Sequence, residues 1–166
     1  HARLDTQGDL IRLEDQDRAL WNREQIAEGS ALIQRALPTG QAHSYCIQAA
    51  IAALHAEAPS FADTDWQEIA GFYDLLLQIN PSPIVELNRA VAIAMRDGPA
   101  AGLDLIDALL ARGQLKDYHL THAARAELLQ QLGEHAAAIA AFETALSLTQ
   151  QTAEQRFLQR RLALVK

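Results

Sequence analysis

The chain has 166 residues, with 14 Lys and Arg against 21 Asp and Glu, and a formal net charge of −7. A nucleic-acid surface needs clustered Lys and Arg, so this balance argues against direct nucleic-acid binding by this chain. The single cysteine, Cys46, permits no internal disulfide, which fits a reducing cytoplasm. The sequence contains no apolar run of the roughly 20 residues needed to span a membrane, so we expect no membrane contact.

Residues 1–21 differ from everything after them. Residues 5–9 are turn-forming, and a short apolar group and a charged run follow. We interpret 1–21 as a connector from an upstream domain, with a frayed terminus as the alternative. The chain begins at His1 rather than Met, which we expect of an excised piece of a longer protein.

From Asn22 onward, start and stop signals recur at helical spacing. Asn22 with Gln25 and Thr64 with Gln67 have the spacing of capping boxes, and Ser82-Pro83 is typical of a helix start. Apolar residues repeat at i, i+3, i+4 and i+7, and no segment alternates with period two. The predicted helices cover about 22–37, 42–57, 65–80, 83–97, 99–113, 117–132, a seventh around 139–146, and 152–165.

Two of the helix pairs have similar joints. Gly98 and Gly133 lie 35 residues apart, close to the roughly 34-residue period of tetratricopeptide repeats. Phe142 stands at the aromatic position of the second unit, where the first unit has Asp107. For residues 22–166 we predict an all-α, tetratricopeptide-like helical repeat array of about eight helices in antiparallel pairs, with a C-terminal capping helix. A non-repeat helical bundle is the alternative.

The sequence lacks a convincing catalytic or metal-binding pattern. His119 and His122 are three residues apart, as are His43 and Cys46, but neither pair has a third ligand nearby. Cysteine among apolar helix residues is usually a packing residue, although Cys46 as a nucleophile with a distant histidine stays open. We therefore predict no enzyme, no cofactor and no bound metal; a helical-bundle metal hydrolase is the least favoured alternative.

Several polar residues interrupt apolar stretches in the first helix of a predicted pair. In a tetratricopeptide array that helix lines the concave face, so these residues are candidate contacts to a protein or ligand. They are Tyr45, Gln48, His55, Asn88, Arg89, His122 and Arg125. For Asn88, Arg89 and Arg125 we favour the alternative of ties between helices, satisfying carboxylates such as Asp65 or Asp74.

Five runs in combination resemble a known family. They are LEDQDR at 13–18 followed by Trp21, YCIQAAIAALH at 45–55, TDW at 64–66, SPIVELNRA at 82–90 and AARAELL at 123–129. Together they resemble the tetratricopeptide-like C-terminal extension of a group of extracytoplasmic-function (ECF) RNA polymerase sigma factors. The resemblance adds Asp15, Asp17 and Arg18 to the candidate contacts.

That resemblance implies a regulatory, protein-interaction module that modulates transcription initiation. Its expected partners are the sigma-2 and sigma-4 domains of the same protein or the RNA polymerase core. The family often has an acidic residue where Asn22 stands, a change that a helix cap tolerates. A free-standing scaffold that binds a peptide of an unrelated partner is the alternative function, and homodimerisation stays open.

Overall fold

The computed structural model describes residues 3–6, 8–36 and 44–166. Eight α-helices lie within these residues, preceded by two 3-10 turns at Leu13–Asp15 and Arg18–Leu20. The helices are α1 (Arg23–Ala36), α2 (Ser44–Glu57), α3 (Trp66–Ile79), α4 (Pro83–Asp97), α5 (Pro99–Ala111), α6 (His119–Gln131), α7 (His135–Leu148) and α8 (Thr152–Val165). The described residues contain no strand beyond one isolated bridge between Leu4 and Leu10, which confirms the all-α prediction.

Most predicted helix starts are correct to within two residues. Of the two predicted capping boxes, the first is confirmed and the second is wrong. The Gln25 amide donates to Asn22 Oδ1 (3.0 Å), as the capping box predicts. At the start of α3 the cap is Asp65 rather than Thr64: the Glu68 amide donates to Asp65 Oδ1 (2.8 Å). Thr64 is instead buried. A carboxylate at the N-cap also faces the positive end of the helix dipole, which favours this later start.

Helix pairs α4–α5 and α6–α7 turn at glycines in the left-handed region. Gly98 has φ 104° and Gly133 has φ 79°, values that L side chains rarely adopt. In the first pair, Gly102 of α5 lies against Ala90 and Ala94 of α4. Each helix contacts the next along the chain, and α4 also contacts α6. This succession of contacts fits the predicted array of helix pairs as well as the alternative of a non-repeat bundle.

The core runs along the array as three clusters that share helices. One cluster joins α2, α3 and α4, around Ile47 and Ile69. A second joins α4, α5 and α6, around Ile106. The third joins α6, α7 and α8, around Phe142, which is fully buried. A core extended in this way, with each helix buried mainly against its neighbours, leaves long side faces available for contacts.

Residues 3–6 and 8–21 contact the helices, a finding that the connector interpretation did not include. Arg18 donates to the end of α2, and Asp9 forms ion pairs with Arg156 and Arg160 of α8. Arg161 of α8 pairs with Glu127 of α6. Whether 1–21 also connects to an upstream domain stays a prediction.

Among the helices of the described chain, none combines the length and apolar character that crossing a membrane requires.

Candidate functional site

A groove of about 450 Å³ lies between α2, α3 and α4, and we call it the polar groove. Its walls mix apolar and uncharged polar side chains, and none of its lining residues is Asp, Glu, Lys or Arg. The lining residues are Gln48, Ile51, Ala52 and His55 of α2, Tyr73 and Leu76 of α3, Asn80 and Ser82 at the joint between α3 and α4, and Ile84, Val85 and Asn88 of α4. The structure thus brings together three residues that the sequence singled out: Gln48, His55 and Asn88.

Three side-chain amides face this groove from different elements. Gln48, Asn80 and Asn88 are exposed and make no side-chain hydrogen bond to any described residue. An amide side chain offers donors and an acceptor together, the same combination as a peptide group. The groove can therefore pair with main-chain N–H and C=O groups of a bound segment without selecting for charge.

His55 stands at the end of the groove nearest the C-terminus of α2. Partial burial, followed by the nearby positive charge of Arg18, lowers the pKa of His55 below its ordinary value. The imidazole is therefore neutral at pH 7, and its ring meets the Trp66 indole edge-on, with 5.2 Å between centroids. Its Nδ1 atom is buried and has no hydrogen-bond partner among the described residues. A neutral imidazole extends the uncharged character of the groove.

Tyr73 supplies a further polar edge from α3. Burial raises the pKa of its phenol above the ordinary value, so the hydroxyl stays protonated. A protonated phenol can donate one hydrogen bond and accept others. Tyr73 thus matches the uncharged hydrogen-bonding capacity of the three amides.

Arg18, predicted as a contact residue, has an internal role. It is 8% exposed, and its Nη1 donates to the carbonyl oxygens of His55 (2.6 Å) and Ala58 (2.7 Å) at the end of α2. The guanidinium also lies 4.7 Å from the centroid of the Trp21 ring. A cation at these carbonyls complements the negative end of the α2 dipole. Arg18 therefore fixes the 3–21 segment to α2 and is not available to a partner.

Arg89 and Arg125 form ties between helices, the alternative that we favoured for them. Arg89 Nε lies 2.5 Å from Asp74 Oδ1, joining α4 to α3. Arg125 of α6 donates to Asp107 of α5 at 2.6 Å. Asp107 occupies the position that Phe142 has one repeat later, so an ion pair replaces the aromatic there. Asn88, assigned to the same class, instead faces the polar groove.

The other predicted contact residues lie apart from the groove. Tyr45 of α2 is 80% exposed and does not line the groove. Asp15 pairs with Arg12 (2.8 Å), and Asp17 caps the second 3-10 turn through the Ala19 amide. The ring Nε2 of His122 lies 2.7 Å from the Lys116 carbonyl oxygen. None of these last three contributes to the groove.

The histidines considered for metal binding point to different partners. His119 Nε2 lies 3.0 Å from Glu154 Oε2, whereas His122 contacts the Lys116 backbone. His43 lies outside the described residues. Within the described ranges, no three His, Cys, Asp or Glu side chains come together as metal ligands would.

Sequence reasoning missed Tyr73, Asn80 and Ser82. The run Asn80-Pro81-Ser82-Pro83 was interpreted only as the end of one helix and the start of the next. Ser82 does occupy the N-cap position of α4, but its side chain makes no capping hydrogen bond. Two polar residues on a Pro-rich joint were the available signal, because such a joint holds them at the rim between two helices.

Four exposed carboxylates lie around the joint between α2 and α3, after His55 along the chain. Glu57, Asp63, Asp65 and Glu68 are exposed and form no ion pair with the described residues. We call these four residues the acidic edge. Asp74 and Glu86, by contrast, are paired with arginines. The unpaired charge of the acidic edge attracts a basic partner.

Comparison with known proteins gives partial matches. Residues 1–37 match a family of unknown function, DUF6596, and this match crosses the boundary that we predicted between connector and helical array. An uncharacterized protein of Rhizobium meliloti (strain 1021) is 44% identical over 161 residues. The match covers 97% of this chain but 38% of that protein, so the chain spans well under half of its relative's length. No solved structure matches significantly.

Proposed function

We propose that this chain is the regulatory, protein-interaction module of an ECF RNA polymerase sigma factor, acting in the cytoplasm. It modulates transcription initiation by contacting the sigma-2 and sigma-4 domains of the same protein or the polymerase core. The observation that carries the proposal is the polar groove, where Gln48, Asn80 and Asn88 present unpartnered amides between α2 and α4. Such a lining suits a polypeptide segment better than a phosphate or a metal ion.

The charge distribution supports a polypeptide partner with a basic flank. The groove itself has no charged lining residue, and the acidic edge follows His55 along the chain, at the joint between α2 and α3. Charge of one sign next to a binding site raises the association rate of an oppositely charged partner. A segment with an uncharged stretch followed by Lys or Arg fits both features.

The length of the Rhizobium meliloti relative also supports the proposal that this chain is one module of a longer protein. A protein 44% identical to this chain over 161 residues continues for more than half its own length outside the matching region. That additional length leaves room for partner domains within one polypeptide. The resemblance of runs such as 13–18 and 82–90 to sigma-factor extensions is the basis for choosing sigma domains as those partners.

The test is promoter-dependent transcription by purified polymerase with the full-length protein that carries this chain. The groove variant is Gln48→Ala/Asn88→Ala; the matched control, Gln67→Ala/Gln131→Ala, removes two exposed helical amides outside the groove lining. We expect the groove variant to change transcript yield about tenfold, the effect of losing a pair of buried hydrogen bonds, while the control behaves as wild type.

Deleting residues 22–166 provides the complementary measurement. Unchanged transcription and unchanged regulation after the deletion would refute the proposal. A pull-down with purified sigma domains and polymerase core then distinguishes a sigma-factor module from a free-standing scaffold. Binding to neither, with binding to an unrelated peptide retained, would favour the free-standing scaffold.

A further inference from the structure

Residues 3–6 and 8–21, which we call the strap, are held at two different helices, α8 and α2. At one end the Asp9 carboxylate, which is 5% exposed, forms ion pairs with two arginines of α8. Arg156 Nε lies 2.5 Å from Asp9 Oδ1, and Arg160 Nη1 lies 2.5 Å from Asp9 Oδ2. Arg156 also donates to the Gly8 carbonyl oxygen at 3.5 Å, and Arg160 Nη1 lies 3.9 Å from Asp5. We call this end the latch. A nearly buried carboxylate between two guanidinium groups is a specific arrangement, since burying it unpaired would be costly.

The other end of the strap is the anchor, formed by Arg18 on the last carbonyls of α2 and by Trp21 beside it. Between the two ends, the strap passes near α6, where Arg12 is close enough to Glu127 for their charges to interact. The strap therefore joins α2 to the capping helix α8. Residues in a stacked array otherwise contact mainly the neighbouring helices.

The link between the two ends of the strap is short. Because Asp9 and Arg18 are close in sequence, a fully extended chain between them reaches about 30 Å, and the two 3-10 turns shorten it further. Displacement at the latch is therefore transmitted to the anchor through a short segment.

We propose that the strap is an intramolecular clasp that fixes the curvature of the helical array and opens as one unit. The curvature of such an array follows from small rotations between neighbouring pairs, and a short link between α2 and α8 limits those rotations. The anchor binds the backbone of His55, whose side chain lines the polar groove. Opening the clasp thus changes the geometry of the groove. The clasp is a property of this chain alone, whichever partner the groove binds.

The two tryptophans make the clasp measurable. Trp21 and Trp66 are the only tryptophans in the chain, and both lie at the anchor, against Arg18 and His55 respectively. Tryptophan emission therefore reports on the anchor when the latch is mutated on α8. The latch variant is Arg156→Gln/Arg160→Gln. The control is Arg112→Gln, which removes an arginine paired with Glu86 on the surface.

We expect the latch variant to shift tryptophan emission and to speed hydrogen exchange at the strap amides of Asp5, Gly8 and Ile11 by about tenfold, because these amides bond within the strap. The control variant should leave both signals unchanged. Faster strap exchange with unchanged emission would mean that latch and anchor open independently, which overturns the clasp. Unchanged hydrogen exchange would show that the ion pairs of the latch do not stabilise the strap, which also overturns the clasp.

A charge-reversal variant distinguishes loss of the latch from loss of folding. Far-UV circular dichroism checks that the helices remain in each variant. In Asp9→Arg/Arg156→Gln/Arg160→Asp the latch is rebuilt with reversed charges, whereas Asp9→Arg alone places three cations together. We expect the rebuilt latch to recover strap protection and wild-type emission relative to Asp9→Arg. The clasp would be contradicted if strap protection or tryptophan emission did not return to the wild-type value.

Discussion

Gly102 of α5 packs so closely on Ala94 of α4 that the backbone of one helix touches the side chain of the other. A Cβ built on Gly102 would lie 2.7 Å from the Ala90 carbonyl oxygen, well inside contact distance, and closer still to Ala94 Cβ. The absence of a side chain at this position therefore sets the distance between the two helices of this pair. This is the small residue that a close helix crossing requires.

Replacing Gly102 with alanine should destabilise the chain although alanine is the better helix former. We expect the unfolding free energy to fall by about 1–3 kcal/mol, the cost of overpacking a tight contact. The matched control is Gly71→Ala in the middle of α3, where nothing lies within 4 Å of the added Cβ. There alanine should stabilise by about 1 kcal/mol. Urea denaturation of both variants measures the contrast, and equal effects would refute the close crossing.

Removing the charge of Arg18 should weaken the attachment of the strap to α2. Arg18→Met keeps the length of the side chain but loses two charged hydrogen bonds to carbonyls, so we expect a loss of about 2–3 kcal/mol. Arg23→Met, at an exposed position, should change stability by less than about 0.5 kcal/mol. The pKa of His55 should also rise in Arg18→Met, since one cause of its lowering is gone. Imidazole NMR titration detects this, and an unchanged pKa would contradict the contact.

His55 should make the chain less stable as the pH falls. Its pKa is lowered in the folded state, so the unfolded chain takes up a proton first when the pH drops below about 6.5. The contribution of His55 to stability is therefore complete above that pH and declines towards the lower, folded-state pKa. Unfolding free energies from pH 8 to 5 should decline less steeply in His55→Gln than in wild type. The exposed His135→Gln is the control, and it should keep the wild-type slope.

Phe142 should be the most costly single truncation of the last repeat. Its side chain is fully buried between α6, α7 and α8, so Phe142→Ala should cost about 3–5 kcal/mol. Leu164→Ala removes a side chain that is 70% exposed on α8 and should cost less than about 0.5 kcal/mol. Thermal unfolding compares the two. A small effect of Phe142→Ala would indicate that α8 does not pack on this aromatic residue.

The candidate site was half predictable from the sequence. Gln48, His55 and Asn88 stand out because each is polar within an otherwise apolar helical stripe, a local pattern that needs no knowledge of neighbours. Asn80 and Tyr73 gave no such signal, because one sits on a joint rich in turn residues and the other has an apolar ring typical of a core. Their role depends on how α3 is placed between α2 and α4. That placement is set by packing between helices.

Local chemistry by itself determined the helices of this protein: Ala and Leu content, 3.6-residue periodicity, and punctuation by Gly, Pro and capping residues all act within a few residues of chain. Tertiary structure alone decided which charges meet. Asp9 and Arg160 are 151 residues apart in sequence, and Arg18 and Ala58 are 40 apart. Nothing in either local sequence specifies such a partner, because the pairing depends on the accumulated rotation of one helix pair against the next.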